Sequence, residues 1–199
     1  MRSHSPQSST PAEALAQLLA GNERYVAGQV EHPRQDASRR AALSGGQQPF
    51  AVILSCSDSR VVPELIFDQG LGDLFVIRVA GNIVDESVLA SIEYAAAHLH
   101  TPLIMVLGHA QCGAVSAAAA GAPLEGHLPR LVRVIQPALD RAGTQPGDFI
   151  NNAIRENARL VADQLRAAPP ILAKLVKAEQ IKITAAHYDL DSGKVSLLA

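Results

Sequence analysis

Two short clusters hold both cysteines of the chain: Cys56-Ser57-Asp58-Ser59-Arg60 and, about fifty residues on, His109-Ala110-Gln111-Cys112. They offer two thiolates, one imidazole, one carboxylate and one guanidinium. Mixed sulfur and nitrogen donors suit zinc in tetrahedral geometry, and three protein ligands (Cys56, His109, Cys112) leave a fourth position for water. An open position marks a catalytic site rather than a structural one. Asp58 and Arg60 are two residues apart, so they share a face of an extended segment. A salt bridge between them keeps the carboxylate ionised and discourages it from becoming a fourth ligand. The bland reading of that pair is a surface contact worth about 0–1 kcal/mol; beside a cysteine ligand the functional reading is favoured. The two cysteines also admit a single disulfide, which suits secreted proteins better than cytosolic ones. The histidine three residues before Cys112 and the aspartate two after Cys56 argue for metal. Gly113 to Ala117 reads as a helix start, and a helix amino end stabilises the Cys112 thiolate.

Elements must bring these clusters together. Phe50–Ser55, Leu74–Val79, Leu103–Leu107 and Ile181–Ala186 are continuous apolar runs, the pattern of strands buried on both faces of a parallel sheet. Asp191-Ser192-Gly193-Lys194 predicts a turn into a last strand, Val195–Leu198. Thr10-Pro11-Ala12-Glu13 starts a helix that ends near Gly28. A polar stretch to about Arg39 wraps the surface or a partner, and a short helix covers Arg39 to Leu43. Helical stripes recur over Asp85–Leu99 and Asp148–Leu165, with a third over Leu128–Leu139 that Pro137 bends or ends. Alternating strands and helices predict an α/β fold: one domain, a mostly parallel central sheet flanked by helices, and an N-terminal helical arm. Cys56 directly follows the first strand and His109 the third, and the carboxyl ends of parallel strands are where such sheets build their sites.

The bulk properties set limits. At 199 residues the chain is long enough for one sizeable core. Net charge is −2 and no basic cluster exceeds Arg39-Arg40, so neither a nucleic-acid nor an anionic-membrane partner is expected. No apolar run approaches the ~18 residues of a membrane span. Residues 1–10 are polar and Ser-rich and lack the apolar middle of a secretory signal; they read as a disordered lead-in to a domain over 11–199, and the protein as cytoplasmic.

Four segments in order closely resemble the β-class carbonic anhydrases: Cys-Ser-Asp-Ser-Arg, Phe-Val-Ile-Arg-Val-Ala-Gly-Asn (Phe75–Asn82), Ser-Ile-Glu-Tyr-Ala (Ser91–Ala95) and Gly-His-Ala-Gln-Cys-Gly (Gly108–Gly113). The similarity runs from about Leu15 to the last strand. It implies reversible hydration of carbon dioxide to bicarbonate, with one zinc ion per subunit on Cys56, His109 and Cys112 and a hydroxide oriented by the Asp58–Arg60 dyad. It also implies that Gln47 helps hold substrate, that Phe75 and Tyr94 wall the pocket, and that a second subunit completes it, in a homodimer or tetramer. Tyr94 is equally readable as a core residue, although Ala90 and Ala97 give its helix a small-residue face fit for close packing. One subgroup of the family has a regulatory bicarbonate site that uses a Trp; Ile53 stands at that position, so none is expected here. Two other functions fit the residues: hydrolysis of a related small molecule such as carbon disulfide, and a non-catalytic zinc-stabilised module. The second gains nothing from an Asp–Arg pair.

Overall fold

Each continuous apolar run becomes a strand. In the computed structural model, which describes residues 10–199, β1 (Ala51–Ser55), β2 (Leu74–Arg78), β3 (Leu103–His109), β4 (Lys182–Tyr188) and β5 (Val195–Leu198) form one sheet in the order β2-β1-β3-β4-β5. The first four strands are parallel and β5 returns antiparallel to β4. Every residue of β1 and β3 is buried, because helices cover both faces of the sheet.

Alternation along β1 and β3 splits the core into two layers. Val52, Leu54, Ile104 and Val106 pack with Ile92 of α4 (Glu86–Ala97), with Ala158 and Leu165 of α7 (Phe149–Arg166), and with Leu172 of α8 (Leu172–Lys177). Ala51, Ile53, Leu103 and Met105 face the other way, onto Leu18 of α1 (Pro11–Val26), Ile66 of α3 (Pro63–Ile66) and Phe67. A third cluster joins Cys56 and Cys112 to Val115 of α5 (Gly113–Ala120), Ile135 of α6 (Leu128–Ala142) and Ile154 of α7. The single-domain, mostly parallel α/β architecture is the one expected.

Two local readings differ, and two short helices are additional to those expected. The Leu74–Val79 run is not buried on both faces: β2 is the sheet edge and is only partly buried. The helix containing Pro137 does not end there but continues to Ala142. Its buried face of Ile135, Ala138, Leu139 and Ala142 outweighs the ~3 kcal/mol that an interior proline costs. Two short helices, α3 and α8, went unread; at 4 and 6 residues they carry too little periodicity. The lead-in over residues 1–10 lies outside the described residues except for Thr10, which caps α1 in a capping box with Glu13.

The polar stretch after α1 wraps the protein's own surface. Asp68 accepts the backbone N–H groups of Glu31 (3.1 Å) and His32 (3.0 Å) and the Arg24 guanidinium (2.6 Å). Asp73 accepts from Arg34 (2.8 Å) and from the Gly70 N–H (2.7 Å). The short helix that follows, α2, spans Ala37–Ala42. Asn22 ties α1 to the opposite end of the chain: its amide donates to Ile66 O (3.1 Å) and Gly193 O (2.9 Å), and its oxygen accepts from Val195 N (2.8 Å).

One glycine permits this docking. A Cβ on Gly21 would sit 1.8 Å from the carbonyl oxygen of Phe67, so α1 lies directly on backbone. Gly21→Ala is expected to cost at least the ~1–3 kcal/mol typical of overpacking, read as a lower midpoint in urea. An unchanged midpoint would mean that α1 does not approach the chain after α3 this closely. No helix among the described residues is long and apolar enough to cross a membrane.

Candidate metal centre and active site

The strand order reverses between β1 and β3: the chain leaves β1 toward β2 and later returns to the other side of β1 as β3. The carboxyl ends of the strands flanking such a reversal open a crevice. Cys56 follows β1 at that crevice, His109 is the last residue of β3, and Cys112 caps α5 three residues on. The ligand atoms of Cys56, His109 and Cys112 all lie within 4.8 Å of one another. Both cysteines are free, with their sulfurs 4.0 Å apart.

The imidazole is the most telling group. His109 is fully buried, and its Nδ1 lies 2.8 Å from Ala110 O. Donation to that carbonyl places the ring proton on Nδ1 and leaves Nε2 with a free lone pair. Nε2 is buried and without a protein partner. A buried polar atom left unpaired costs free energy, and a cation between Nε2 and the two sulfurs removes that cost. The donor set of one nitrogen and two sulfurs fits zinc.

The two sulfurs are close enough for the thiol of one to donate to the other. The Cys112 S–H beside Cys56, supported by the Gly81 N–H, pulls the Cys56 thiol well below its ordinary value. The negative Cys56 sulfur, together with burial, pushes Cys112 up. A divalent cation reverses the second effect by attracting both thiolates. At Cys112 the first amides of α5 (Ala114 and Val115) already favour the ionised form.

Asp58 stands beside this group and is firmly held. Its Oδ1 accepts from the Arg60 backbone N–H (3.0 Å) and Nε (2.9 Å), and its Oδ2 accepts from Arg60 Nη2 (2.8 Å). This fork-to-fork pairing orients the carboxylate as a single point charge cannot. The Arg60 hydrogen bonds hold the Asp58 carboxyl well below the usual range. Oδ2 lies 3.9 Å from His109 Nε2, so an anionic oxygen faces the cluster without entering it. The expected ion pair is present, but it forms within a turn closed by Val61 N–H on Asp58 O (3.0 Å) and not along an extended segment.

Three residues complete the scaffold that the motifs did not single out for this task. Arg78, at the end of β2, donates to Cys56 O (3.1 Å) and Asp58 O (2.6 Å), pinning the backbone of the first cluster. Gly81, in a one-turn 3₁₀ segment (Ala80–Asn82), donates its N–H to the Cys56 sulfur at 3.3 Å. Asn157 of α7 donates to Gly81 O at 2.8 Å. One signal was available for Asn157: a polar residue on the apolar stripe of α7, three after Ile154 and four before Val161.

The softer residues gather elsewhere. Phe75 and Tyr94 pack with ring centroids 6.4 Å apart, and Tyr94 stacks on His98 at 5.5 Å. Phe75 belongs to the α4–α7 core layer, not to the cluster around Cys56. Tyr94 is not a core residue within one chain: it is 48% exposed. Gln47 is exposed in the coil before β1.

These features define a class of α/β protein, one with a candidate metal centre at a strand-order reversal and a clamped carboxylate beside it. The family model for carbonic anhydrase matches residues 51–195. Carbonic anhydrase 2 of Mycobacterium tuberculosis is 41% identical over 196 residues, covering 94% of this chain and 92% of the relative. A tetrameric β-carbonic anhydrase of the ascomycete Sordaria macrospora superimposes with a TM-score of 0.76 at 23% identity, over 93% of this chain and 96% of that one. The Coccomyxa β-carbonic anhydrase in complex with acetazolamide gives 0.73 at 25% identity, over 92% and 86%. The chain belongs to the β-class carbonic anhydrases. It is an enzyme of the lyase class, and its reaction is that of the family, the hydration of carbon dioxide.

Proposed function

We propose that this chain performs the reaction at a zinc ion held by Cys56, His109 and Cys112, with the Asp58–Arg60 pair as its catalytic dyad. The observation that carries the reading is the unpartnered, fully buried His109 Nε2 facing two thiols, with Asp58 Oδ2 3.9 Å away. Zinc bound there supplies a Lewis acid that makes hydroxide available from water near neutral pH. Asp58 accepts a hydrogen bond from the nucleophile and so fixes the direction of its attack on carbon dioxide. Arg60 keeps the Asp58 carboxylate ionised and, by using both of its oxygens, keeps it from swinging onto the metal. Arg78 holds the Cys56 and Asp58 carbonyls in place while bicarbonate forms and leaves.

Gln47, Phe75 and Tyr94 are assigned to the substrate pocket, completed by a second copy of the chain. Two features support this. Ala90 and Tyr94 leave a small-plus-aromatic face of α4 exposed, and the neighbouring edge strand β2 is only partly buried. A homodimer is the smallest assembly that covers this face. A reducing, cytoplasmic setting is proposed on the two free thiols, which must stay reduced to bind metal.

Stopped-flow hydration of carbon dioxide near pH 8.5 tests the metal assignment, with zinc-loaded protein against a chelator-stripped control. Turnover is expected to vanish on stripping and to return with zinc. Acetazolamide, bound in the Coccomyxa structure, is expected to inhibit the loaded protein and not to bind the stripped one. Turnover that survives complete metal removal would overturn the assignment.

A further inference from the structure

We infer that Asn157 is a positioning residue for the metal centre, holding Gly81 so that its backbone N–H points at the Cys56 sulfur. The inference rests on the reading of Cys56 as a metal ligand. Asn157 is 2% exposed and lies between apolar neighbours on α7. A carboxamide is costly at such a place unless it is hydrogen-bonded. Its amide donates to Gly81 O at 2.8 Å, 76 residues away in sequence. Gly81 in turn donates its own N–H to Cys56 Sγ at 3.3 Å. The two bonds use different peptide groups, so Asn157 acts on the position of Gly81 rather than by polarising its N–H.

Gly81 needs an external hold. Its φ is +71°, a left-handed conformation that only glycine adopts without strain. It is also tightly enclosed: an added Cβ would meet Ile135 Cδ1 at 3.0 Å and Ala114 Cβ at 3.2 Å. The other end of the relay is rigid as well. A Cβ on Gly108 would lie 3.3 Å from Ile154 O and from Ala158 Cβ, so α7 rests almost directly on the end of β3. Asn157 thereby refers the loop after β2 to the strand that carries His109.

The chemical consequence concerns the sulfur. Two thiolates donate enough charge to neutralise a divalent cation. A hydrogen bond to one of them withdraws part of that donation, and partners of metal ligands commonly govern affinity in this way. Losing the hold on Gly81 lets the N–H drift from the sulfur, which makes the thiolate a stronger donor but leaves it on a looser loop; the lost positioning is the larger effect and sets the sign, a weaker site.

The test uses the full chain and two readouts besides turnover: zinc affinity by competition with a chromophoric chelator, and the sulfur-to-metal charge-transfer absorption of the cobalt(II)-substituted protein. Asn157→Leu, close in volume but without a donor, is expected to weaken zinc binding by about 10–100-fold and to shift that absorption. Gly81→Ala should change both in the same direction, and the double variant should be no worse than the more affected single one, since both break one relay. Should Asn157→Leu not fold, Asn157→Ser, too short to reach Gly81, is expected to give the same signature. Val161→Ala, also buried on α7 but not hydrogen-bonded to Gly81, serves as the control for general loosening and should move neither readout. Parent-like affinity and absorption in the Asn157 variant would overturn the inference, as would equal changes in Val161→Ala. Failure of the parent to bind one zinc per chain would overturn the metal centre itself.

Discussion

Asp58→Asn is expected to lower kcat/KM for carbon dioxide hydration by about 10²-fold or more, the lower end of what a positioned proton-handling group contributes, while zinc content stays at one per chain. The amide keeps the shape of the carboxylate and stays clear of the metal ligands. It loses the property that the geometry exploits. Asp58 presents two anionic oxygens, which take three hydrogen bonds from Arg60 and leave Oδ2 facing the cluster 3.9 Å from His109 Nε2. An asparagine satisfies Arg60 with one oxygen and turns its NH₂ toward the nucleophile, a donor where an acceptor is required. Removing Arg60 as well should cost little more than the first change, because residues that act as a unit are not additive. The prediction also separates the chain from a non-catalytic zinc-stabilised module, in which Asp58→Asn would alter stability alone. Activity within threefold of the parent, with zinc bound, would remove Asp58 from the mechanism.

The centre was legible because its residues sit where apolar runs stop. The run ending at Ser55 and the run ending before His109 each deliver a donor at the carboxyl end of a strand, and strand ends of a parallel sheet converge in space. Asp58 and Arg60 were legible as a pair from their types and close spacing, but the turn that joins them was not: Val61 N–H closes it on Asp58 O at 3.0 Å, where an extended segment was expected. The edge position of β2 was not legible, since Leu74–Ile77 is as apolar as Ala51–Leu54; what differs is the number of neighbouring strands, which topology decides. Pro137 misled for a related reason. A local penalty can be read from sequence, but the packing of Ile135, Ala138 and Leu139 that outweighs it cannot. Gln47 and Phe75 came only from family resemblance, and Tyr94 had one further support, the small-residue face of Ala90 and Ala97. Within one chain, Gln47 and Tyr94 are exposed and Phe75 packs away from the cluster, so spacing alone had no means of joining them to the zinc ligands.

Asp68→Asn is expected to cost about 3 kcal/mol at neutral pH, the low end for breaking a buried, hydrogen-bonded charge pair, or roughly 6–12 °C in Tm for a chain of this size. The low end applies because the Arg24 side chain is still 29% exposed although that of Asp68 is 1%. Asparagine is the informative replacement. Asp68 has φ +46°, and asparagine tolerates that region nearly as well as aspartate does, so backbone strain stays nearly constant while the charge is removed. The new NH₂ would oppose the N–H of Glu31 or of His32, donor against donor, at the point where the segment after α1 is fastened. Burial alone would raise the Asp68 carboxyl, but those two N–H groups and Arg24 outweigh it and leave the group below its ordinary value of 3.8. A carboxyl depressed in the folded state contributes stability that is complete above its unfolded value and is lost as pH falls through the folded one. The gap between parent and variant should therefore be constant from about pH 5 to 8 and narrow only below about pH 4. Urea midpoints across that range measure it, and limited proteolysis should cut residues 28–46 faster in the variant, because the segment leading toward Gln47 and β1 is released at one of its two aspartate anchors. Equal midpoints at pH 7 would show that Asp68 does not fasten it. A gap that widened as the pH fell would mean that the carboxylate is unfavourable in the fold and that its hydrogen bonds do not compensate for its burial.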